Sequence, residues 1–173
     1  MTEGVLIRRL KAGDLRAYKA LRDDMLARHP EAFTSDAGTE GHRRADDYLP
    51  RLGLDRSEGG HLTLGAWRGT ELVGAIGLER DARLKVRHIG HVVGMMVRDD
   101  ARRHGIGRAL LDALIDEARE PAHLELLTLT VTDGNSNAVS LYKRAGFARF
   151  GTLHKAIKLG DRYHDKIHMA KHL

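Results

Sequence analysis

Residues 97–111, Val97-Arg98-Asp99-Asp100-Ala101-Arg102-Arg103-His104-Gly105-Ile106-Gly107-Arg108-Ala109-Leu110-Leu111, pass from an apolar run through a polar loop into a helical repeat. The first turn of a helix leaves backbone N–H groups without intrahelical partners, and the helix dipole adds partial positive charge there. Glycines at 105 and 107 remove the Cβ atoms that would keep an anion from those donors. Nearby arginines can add charge-assisted hydrogen bonds. The segment therefore predicts a strand–loop–helix unit that binds a phosphate or pyrophosphate.

Two other phosphate-binding patterns are excluded at this loop. A Walker A loop needs a lysine and a serine or threonine after its second glycine, and neither follows Gly107. A dinucleotide fingerprint needs a third glycine where Leu110 stands. The alternative is that Gly105 and Gly107 only permit a tight turn between strand and helix.

Periodicity on both sides of the loop predicts alternating strands and helices. The predicted strands are Val5–Leu10, His61–Trp67, Glu71–Glu79, His88–Val97, Leu124–Val131, Phe147–Leu159 and Tyr163–Leu173. The predicted helices are Leu15–Arg28 with Asp14 as N-cap, Thr39–Leu49 with Thr39 as N-cap, Gly105–Arg119, and a short helix to Arg144 capped by Ser136 or Asn137. Breaks are expected at Pro50, at Ser57-Glu58-Gly59-Gly60 and at Pro121, which ends the third helix. The pattern predicts one mixed α/β domain over residues 1–173.

Length and composition favour an ordinary globular domain. The chain has 173 residues and no cysteine, which excludes disulfides, thiolate metal sites and a cysteine nucleophile. No apolar run approaches the roughly 18 residues that cross a bilayer, so no membrane association is expected. The N-terminus shows no secretory pattern. We expect a cytoplasmic protein.

The formal net charge of +5 predicts attraction to anions. Binding of nucleic acid would favour a dense basic stripe with interleaved aromatic residues. Here the basic residues are dispersed and aromatic residues make up 5% of the chain. A small phosphorylated ligand therefore fits these features better than nucleic acid does. The alternative explanation of the net positive charge is a solvated, arginine-rich surface.

Two motifs in order resemble those of the GNAT acetyltransferases. Arg102-x-x-Gly105-x-Gly107 is similar to the family's Arg/Gln-x-x-Gly-x-Gly/Ala signature. Residues 135–147, Asn-Ser-Asn-Ala-Val-Ser-Leu-Tyr-Lys-Arg-Ala-Gly-Phe, resemble its Asn-x-x-Ala-x-x-Leu-Tyr-x-x-x-Gly-Phe segment. The resemblance is clear from His88 to Phe147. Residues between Gly38 and Gly60 match no characteristic motif of the family.

The resemblance implies a single, mostly antiparallel sheet of about seven strands with about four helices, splayed between strands His88–Val97 and Leu124–Val131. It implies an acetyl-CoA-dependent N-acetyltransferase that acts on a primary amine by direct attack within a ternary complex. The implied cofactor-binding residues are Met95, Met96, Val97, Arg102, Arg103, His104, Gly105, Ile106, Gly107, Arg108 and Asn135. Gly94 agrees with a bulge that the family carries in this strand, and a packing glycine is the alternative. Turn chemistry equally explains Asn135.

Tyr142 stands at the family's tyrosine position. A phenol has an ordinary pKa of about 10, so it stays protonated at neutral pH and can donate to a thiolate leaving group. The alternative is a core aromatic residue. The oxyanion donor is expected to be a backbone N–H of Met95–Val97.

The general base is not fixed by the sequence. Some relatives carry a glutamate five residues before the motif asparagine, and here that position is Thr130. His91 is taken as the second catalytic residue, because the ordinary pKa of histidine, about 6.5, suits a general base. The alternative is that His91 has only a structural role. Glu79, which closes a strand, is the other candidate, and a solvated charge explains it equally.

The remaining expectations concern ligands and partners. His154, His164, His168 and His172 cluster near the C-terminus, but no tight ligand spacing appears among them, so no metal is expected. Arg43 and Arg44 either attract a carboxylate-bearing acceptor or form a solvated face. The acceptor is a small-molecule amine or a protein N-terminus, and a homodimer is possible. The alternative function is an acetyl-CoA-binding sensor without turnover.

Overall fold

The computed structural model describes residues 4–55, 59–120 and 122–173. The breaks predicted at Ser57, Glu58 and Pro121 lie outside those residues. No helix in the described part of the chain combines the length and apolarity that crossing a membrane requires.

The strands form one sheet. They are β1 (Val5–Arg9), β2 (Leu54–Asp55), β3 (Gly59–Arg68), β4 (Glu71–Arg80), β5 (Ile89–Val97), β6 (Leu126–Thr132), β7 (Ala148–Leu159) and β8 (Arg162–His172). The order is β1-β3-β4-β5-β6-β8-β7, with the two-residue β2 paired to the start of β3. Among the described strands, β5 and β6 are the one pair that runs parallel. The predicted mixed α/β fold with a mostly antiparallel sheet of about seven strands is confirmed.

The helices cover both faces of the sheet. They are α1 (Leu15–Arg28), α2 (Ala37–Gly41), α3 (Ile106–Arg119) and α4 (Ser136–Arg144), and a 3-10 helix spans Ala45–Leu52. The apolar face predicted for α3 is buried against one side of the sheet, through Ile106, Leu110, Leu111, Leu114, Ile115 and Ala118. Helix α1 and the 3-10 helix pack on the other side, where Tyr18, Met25 and Tyr48 are buried. Because each such side chain contributes about 1.5–3 kcal/mol, tertiary packing holds these helices in place.

The sheet opens between β5 and β6, as the resemblance implied. Their parallel pairing covers only Ile89–Val92 and Leu126–Leu129. Just beyond it, Gly94 has φ of +59° and the register of β5 against β4 shifts by one residue, which is a β-bulge. A Cβ on Gly94 would meet no heavy atom within 4 Å, so this position requires glycine for its backbone conformation and not for packing. The alternative of a packing glycine is therefore not supported.

The predicted starts of the second and fourth helices differ from the structure, whereas α1 begins at Leu15 with Asp14 at its N-cap position, as predicted. Instead of one helix over Thr39–Leu49, Asp36 caps the short α2, and the chain breaks before the 3-10 helix that contains Pro50. Proline lacks the N–H that a longer α-helix would need there. Asp14 precedes α1, but its carboxylate accepts from the Lys11 amide at 2.8 Å and from Arg8, so its side chain does not cap α1.

The cap of α4 is also one residue earlier than predicted. Asn135, and not Ser136 or Asn137, is the N-cap, and its Oδ1 accepts from the Ala138 amide at 3.3 Å. Asparagine provides the same short polar acceptor as serine at this position.

Candidate active site

A cleft of about 880 Å³ fills the gap where β5 and β6 separate. Its walls come from the second half of β5, the loop before α3, one side of α4 along its whole length and the C-terminal end of α1. Ligand-binding cavities for small molecules commonly have roughly 300–1,000 Å³, so the cleft can hold an extended cofactor.

The loop before α3 presents a concave set of backbone amides. Arg103 and Gly105 have φ of 65° and 76°, which turns neighbouring N–H groups toward the same side. Within the described residues, the amides of residues 103–108 donate to no carbonyl of a turn or loop, and Gly105 caps α3 without a side-chain acceptor. The positive end of a 14-residue helix lies behind them. The geometry is that of an anion site.

The arginines around this loop differ in how they are engaged. Arg102 donates to the Val97 carbonyl at 3.2 Å and forms an ion pair with Asp99 at 3.0 Å. Arg108 is held by Asp112 at 2.8 Å. The Arg103 side chain is exposed, and no hydrogen bond or ion pair joins it to the described residues. Of these three arginines, Arg103 can therefore bind an anion without first breaking an ion pair.

His29 joins the end of α1 to the same loop. Its Nε2 lies 2.9 Å from Asp99 Oδ1 and 3.1 Å from Arg102. The hydrogen bond from His29 lowers the pKa of Asp99. The sequence gives no sign of this contact, because 70 residues separate its two partners. His104, in contrast, is exposed and does not line the cleft.

The strand residues named in the sequence lie along the cleft. Met95, Met96 and Val97 line it, although the Met96 side chain is buried in the core around α1. Gly107 lies against Met95, because a Cβ there would stand 3.2 Å from Met95 Cε. Ile106 packs its side chain into the core on the α3 face, which fixes the start of the helix beside the cleft.

Tyr142 and Asn135 reach the cleft from α4. The Tyr142 ring is buried and packs edge-on against Phe147, with ring centroids 6.0 Å apart. Burial raises the pKa of the Tyr142 phenol, because the charged phenolate would be poorly solvated. Asn135 uses its side-chain oxygen to cap α4, which leaves its amide nitrogen for a ligand.

His91 is not brought to either cavity described here. It lies before the bulge, in the stretch of β5 that still pairs with β6, and its exposed ring contacts Thr128 Oγ1 at 2.5 Å. Thr130 is exposed and pairs with His168 on β8. The bulge redirects the strand only from Gly94 onward, so a residue three positions earlier stays on the paired part of the sheet.

A second cavity of about 180 Å³ lies on the α1 face of the sheet, next to the bulge. His61 and Glu79, which pair across β3 and β4, both line it, and His61 Nδ1 is 3.2 Å from Glu79 Oε1. Burial lowers the pKa of His61 to about 4, and the charges of Arg51 and Arg22 add to this. The imidazole is therefore uncharged at neutral pH, so its contact with Glu79 is not an ion pair.

In the sequence, only the neighbouring predicted strands His61–Trp67 and Glu71–Glu79 point to this pair. A register shift between Ala66 and Trp67 places residues 61 and 79 opposite each other, and Gly77 lies on the same face as Glu79. A Cβ on Gly77 would lie 2.6 Å from His61 Nε2 and 3.0 Å from Val93 Cγ2. Glycine at position 77 therefore lets the imidazole lie across β4 toward Val93.

The C-terminal histidines separate in the structure. His164 lines the cleft, and its buried Nε2 has no hydrogen-bond partner among the described residues. His154 pairs with Asp165 at 2.6 Å on the exposed side of the β7–β8 hairpin. In the described ranges, no group of three or more histidine, aspartate or glutamate side chains is placed to hold a metal ion.

Comparison with known proteins gives a consistent result. The model of the Acetyltransferase (GNAT) family matches residues 18–147. Mycothiol acetyltransferase from Propionibacterium freudenreichii is 31% identical over 154 residues, covering 88% of this chain and 46% of that protein. The chain spans about half the length of the mycothiol acetyltransferases it matches.

Two solved structures are similar over nearly their whole length. An acetyltransferase of the GNAT family from Streptococcus pneumoniae superposes with a TM-score of 0.83 at 24% identity, covering 98% of this chain and 99% of that one. The ribosomal-protein-alanine N-acetyltransferase from Brucella melitensis gives 0.77 at 27% identity, with 97% and 99% covered.

Proposed function

This chain belongs to the acetyltransferase (GNAT) family, and from that premise we propose that it binds acetyl-CoA in the cleft and catalyses transfer of the acetyl group to a primary amine. The observation that carries the proposal is the row of amides at residues 103–108, set at one end of a cleft that also contains the phenol of Tyr142. Phosphate binding and proton donation are two of the functions that this reaction requires of the protein.

The residues of the cleft fit the cofactor. The amides of residues 103–108, with Arg103 beside them, suit a pyrophosphate. From Val93 onward, the β6-facing edge of β5 has no strand partner in the described residues. An extended chain with amide groups, such as pantetheine, can pair with the backbone of Met95–Val97 as an added strand would. Asn135 is proposed as a further contact.

Acetyl-CoA, when bound, supplies an acetyl group activated as a thioester. Direct attack forms a C–N bond between the amine and the carbonyl carbon, and the C–S bond breaks. Tyr142 gives its phenolic proton to the departing sulfur, and burial keeps that proton in place at neutral pH. A backbone N–H of the Met95–Val97 segment stabilises the developing oxyanion. The chain has no cysteine, so the protein cannot form an acyl-cysteine intermediate.

The proton lost by the amine needs an acceptor near the bulge. His91 is poorly placed for this role, because its ring lies outside both cavities and contacts Thr128. Glu79 and the uncharged His61 line the second cavity, beside Gly94. We therefore place the acceptor amine on that side of the bulge, with Glu79 or water receiving the proton.

Isothermal titration calorimetry with acetyl-CoA tests the cofactor site. Gly107→Glu puts a carboxylate against Met95 and beside the amides, so we expect binding to fall at least tenfold, because charge repulsion and steric exclusion act together. Gly107→Ala adds only a methyl group 3.2 Å from Met95 Cε, and we expect a smaller loss from a folded protein. Circular dichroism verifies folding of each variant.

Gly13→Glu is the matched control. Gly13 is exposed, and a Cβ there meets no heavy atom within 4 Å, so the same change of charge should leave binding unaltered. Wild-type affinity in Gly107→Glu, or no binding by the wild-type protein, would refute the proposed cofactor site.

A further inference from the structure

The second cavity adjoins the cleft at the point where acetyl transfer would occur. Phe33 lines both cavities. Val93 and Gly94 line the second cavity, and the next residue, Met95, lines the cleft. The backbone of the bulge therefore lies between the second cavity and the cleft. An acceptor in the second cavity therefore reaches the cofactor-binding edge of β5. The space equals that of about six water molecules, which suits a small acceptor.

Two arginines face this cavity, but they have different roles. Arg22 is buried, and its guanidinium is engaged by Glu40 at 2.9 Å and by Ser35 at 2.8 Å. Arg51 donates to the hydroxyl of Tyr18 at 2.8 Å. Among residues 4–53, 60–120 and 122–173, whose side chains the structure describes, no carboxylate lies within salt-bridge distance of Arg51. The positive charge of Arg51 is therefore not neutralised by the described residues around it.

The position of Arg51 is fixed from several sides. The Thr63 hydroxyl donates to the Arg51 carbonyl at 3.0 Å, which joins the end of the 3-10 helix to β3. The guanidinium lies 5.1 Å from the centroid of the Tyr48 ring, which is a cation–π contact. A half-buried guanidinium held in this way has little conformational entropy left to lose on binding a planar carboxylate.

A negative group, Glu79, also lines this cavity, next to the imidazole of His61. Glu79 Oε1 stands beside His61 Nδ1, whereas Arg51 and Arg22 lie close enough to His61 to disfavour its protonation. A positive group, a negative group and a neutral ring thus line the same cavity. This arrangement complements a molecule with an ammonium group and a carboxylate a few bonds apart.

Building on the proposed function, we infer that the acceptor is a small amine that bears its own carboxylate, held by Arg51, with the amine between Glu79 and the Gly94 bulge. A protein N-terminus has an amide where this acceptor has a carboxylate, so it lacks the charge that Arg51 would bind. Arg43 and Arg44 are excluded from this role, because both are largely exposed and pair with Glu40 and Asp47.

The test compares matched acceptors with acetyl-CoA, read as CoA thiol release and by mass spectrometry of the product. The acceptors are the standard α-amino acids, their α-amides and the corresponding decarboxylated amines. For the best side chain, we expect kcat/KM for the acid to exceed that for the amide and the amine by roughly 10- to 100-fold, the usual worth of a charged hydrogen bond.

Substitution of Arg51 tests the assignment of the residue. Arg51→Gln should raise KM for the acid by roughly 10- to 100-fold with a smaller change in kcat, and should leave the amide unaffected. Arg51→Lys should recover part of the loss, because it restores the charge without the planar fork. Arg44→Gln is the control, since Arg44 is the same residue type in the same segment but is 83% exposed.

The possible outcomes separate this inference from the proposed function. Equal or faster transfer to the amides or decarboxylated amines overturns the inference and leaves the acetyltransferase assignment intact. The same holds if Arg51→Gln affects acid and amide alike, or if acetyl-CoA binds and no acid in the panel is acetylated. Failure of acetyl-CoA to bind the wild-type protein overturns the proposed function itself.

Discussion

Burial determines the charge of two titratable side chains near the cleft. It keeps Tyr142 protonated, which suits a proton donor, and it keeps His61 uncharged at neutral pH. In His61 the charges of Arg51 and Arg22 act in the same direction as burial. The free energy of folding is therefore linked to the protonation of His61.

This linkage predicts acid sensitivity that depends on His61. Its pKa is about 4 in the folded protein and near 6.5 when unfolded, so the contribution to stability is complete above pH 6.5 and is lost as the pH falls toward 4. Between pH 7.5 and pH 4.5 we expect His61 to account for about 2–3 kcal/mol of the loss in the free energy of unfolding. Urea unfolding of the wild type and His61→Gln at both pH values measures this.

His123→Gln is the control, because His123 is exposed and should leave the pH dependence of the wild type unchanged. Carboxylates such as Asp14 also titrate in acid. The contribution of His61 is therefore the difference between the wild type and His61→Gln in the free energy of unfolding that is lost at low pH. Identical pH dependence in the wild type and His61→Gln would show that His61 is not held uncharged by the fold.

Residues that stand in a local sequence motif lie close together in the structure. Gly105, Gly107 and Tyr142 stand in such motifs, and the structure brings all three to one cleft. His91 was chosen for its residue type and its strand, but its position three residues before the bulge keeps it on the paired sheet. His61 was missed because its burial comes from the packing of distant elements.

The elements around the second cavity depend on a buried network. Arg22 from α1 and Tyr48 from the 3-10 helix both bond Glu40 of α2, at 2.9 and 2.7 Å. Burial alone would raise the pKa of Glu40, but the hydrogen bonds from Tyr48 and Arg22 offset this and lower it. The network fixes the segment between α1 and β3, for which the sequence offered no diagnostic motif.

Removing the negative charge of this network should destabilise the protein strongly. Glu40→Gln leaves Arg22 as a buried charge without its counter-ion, and we expect a loss of about 3 kcal/mol in the free energy of unfolding, measured by urea denaturation at pH 7.5. Glu120→Gln changes an exposed carboxylate and should stay within about 0.5 kcal/mol of the wild type. A loss below about 1 kcal/mol for Glu40→Gln would mean that the network does not support the segment.

Helices were predicted correctly where the hydrophobic periodicity of the sequence is strong. Helix α3 buries the six residues that its sequence pattern indicates. The helix predicted over Thr39–Leu49 was wrong, because Asp36 provides the cap and Pro50 favours a 3-10 helix. The short α2 and the 3-10 helix also depend on tertiary contacts of Glu40 and Tyr48, which hydrophobic periodicity does not reveal.

At the scale of the whole molecule, the resemblance was needed to predict the splayed sheet. Hairpins follow from neighbouring strands, but nothing local indicates that β8, and not β7, pairs with β6. The gap between β5 and β6 likewise arises from a parallel pair that stops after Val92. The cleft and the second cavity both result from this long-range pairing.

The most direct test of the account is acetyl transfer by the whole protein, with CoA thiol release and acetylated amine measured together for the wild type and Tyr142→Phe. We expect equimolar products from the wild type. The variant should show a kcat at least about 100-fold lower and unchanged acetyl-CoA affinity, because only proton donation is removed. Acetyl-CoA binding without product from any amine, or equal kcat in both proteins, would contradict the proposed catalysis and favour a cofactor-binding protein without turnover.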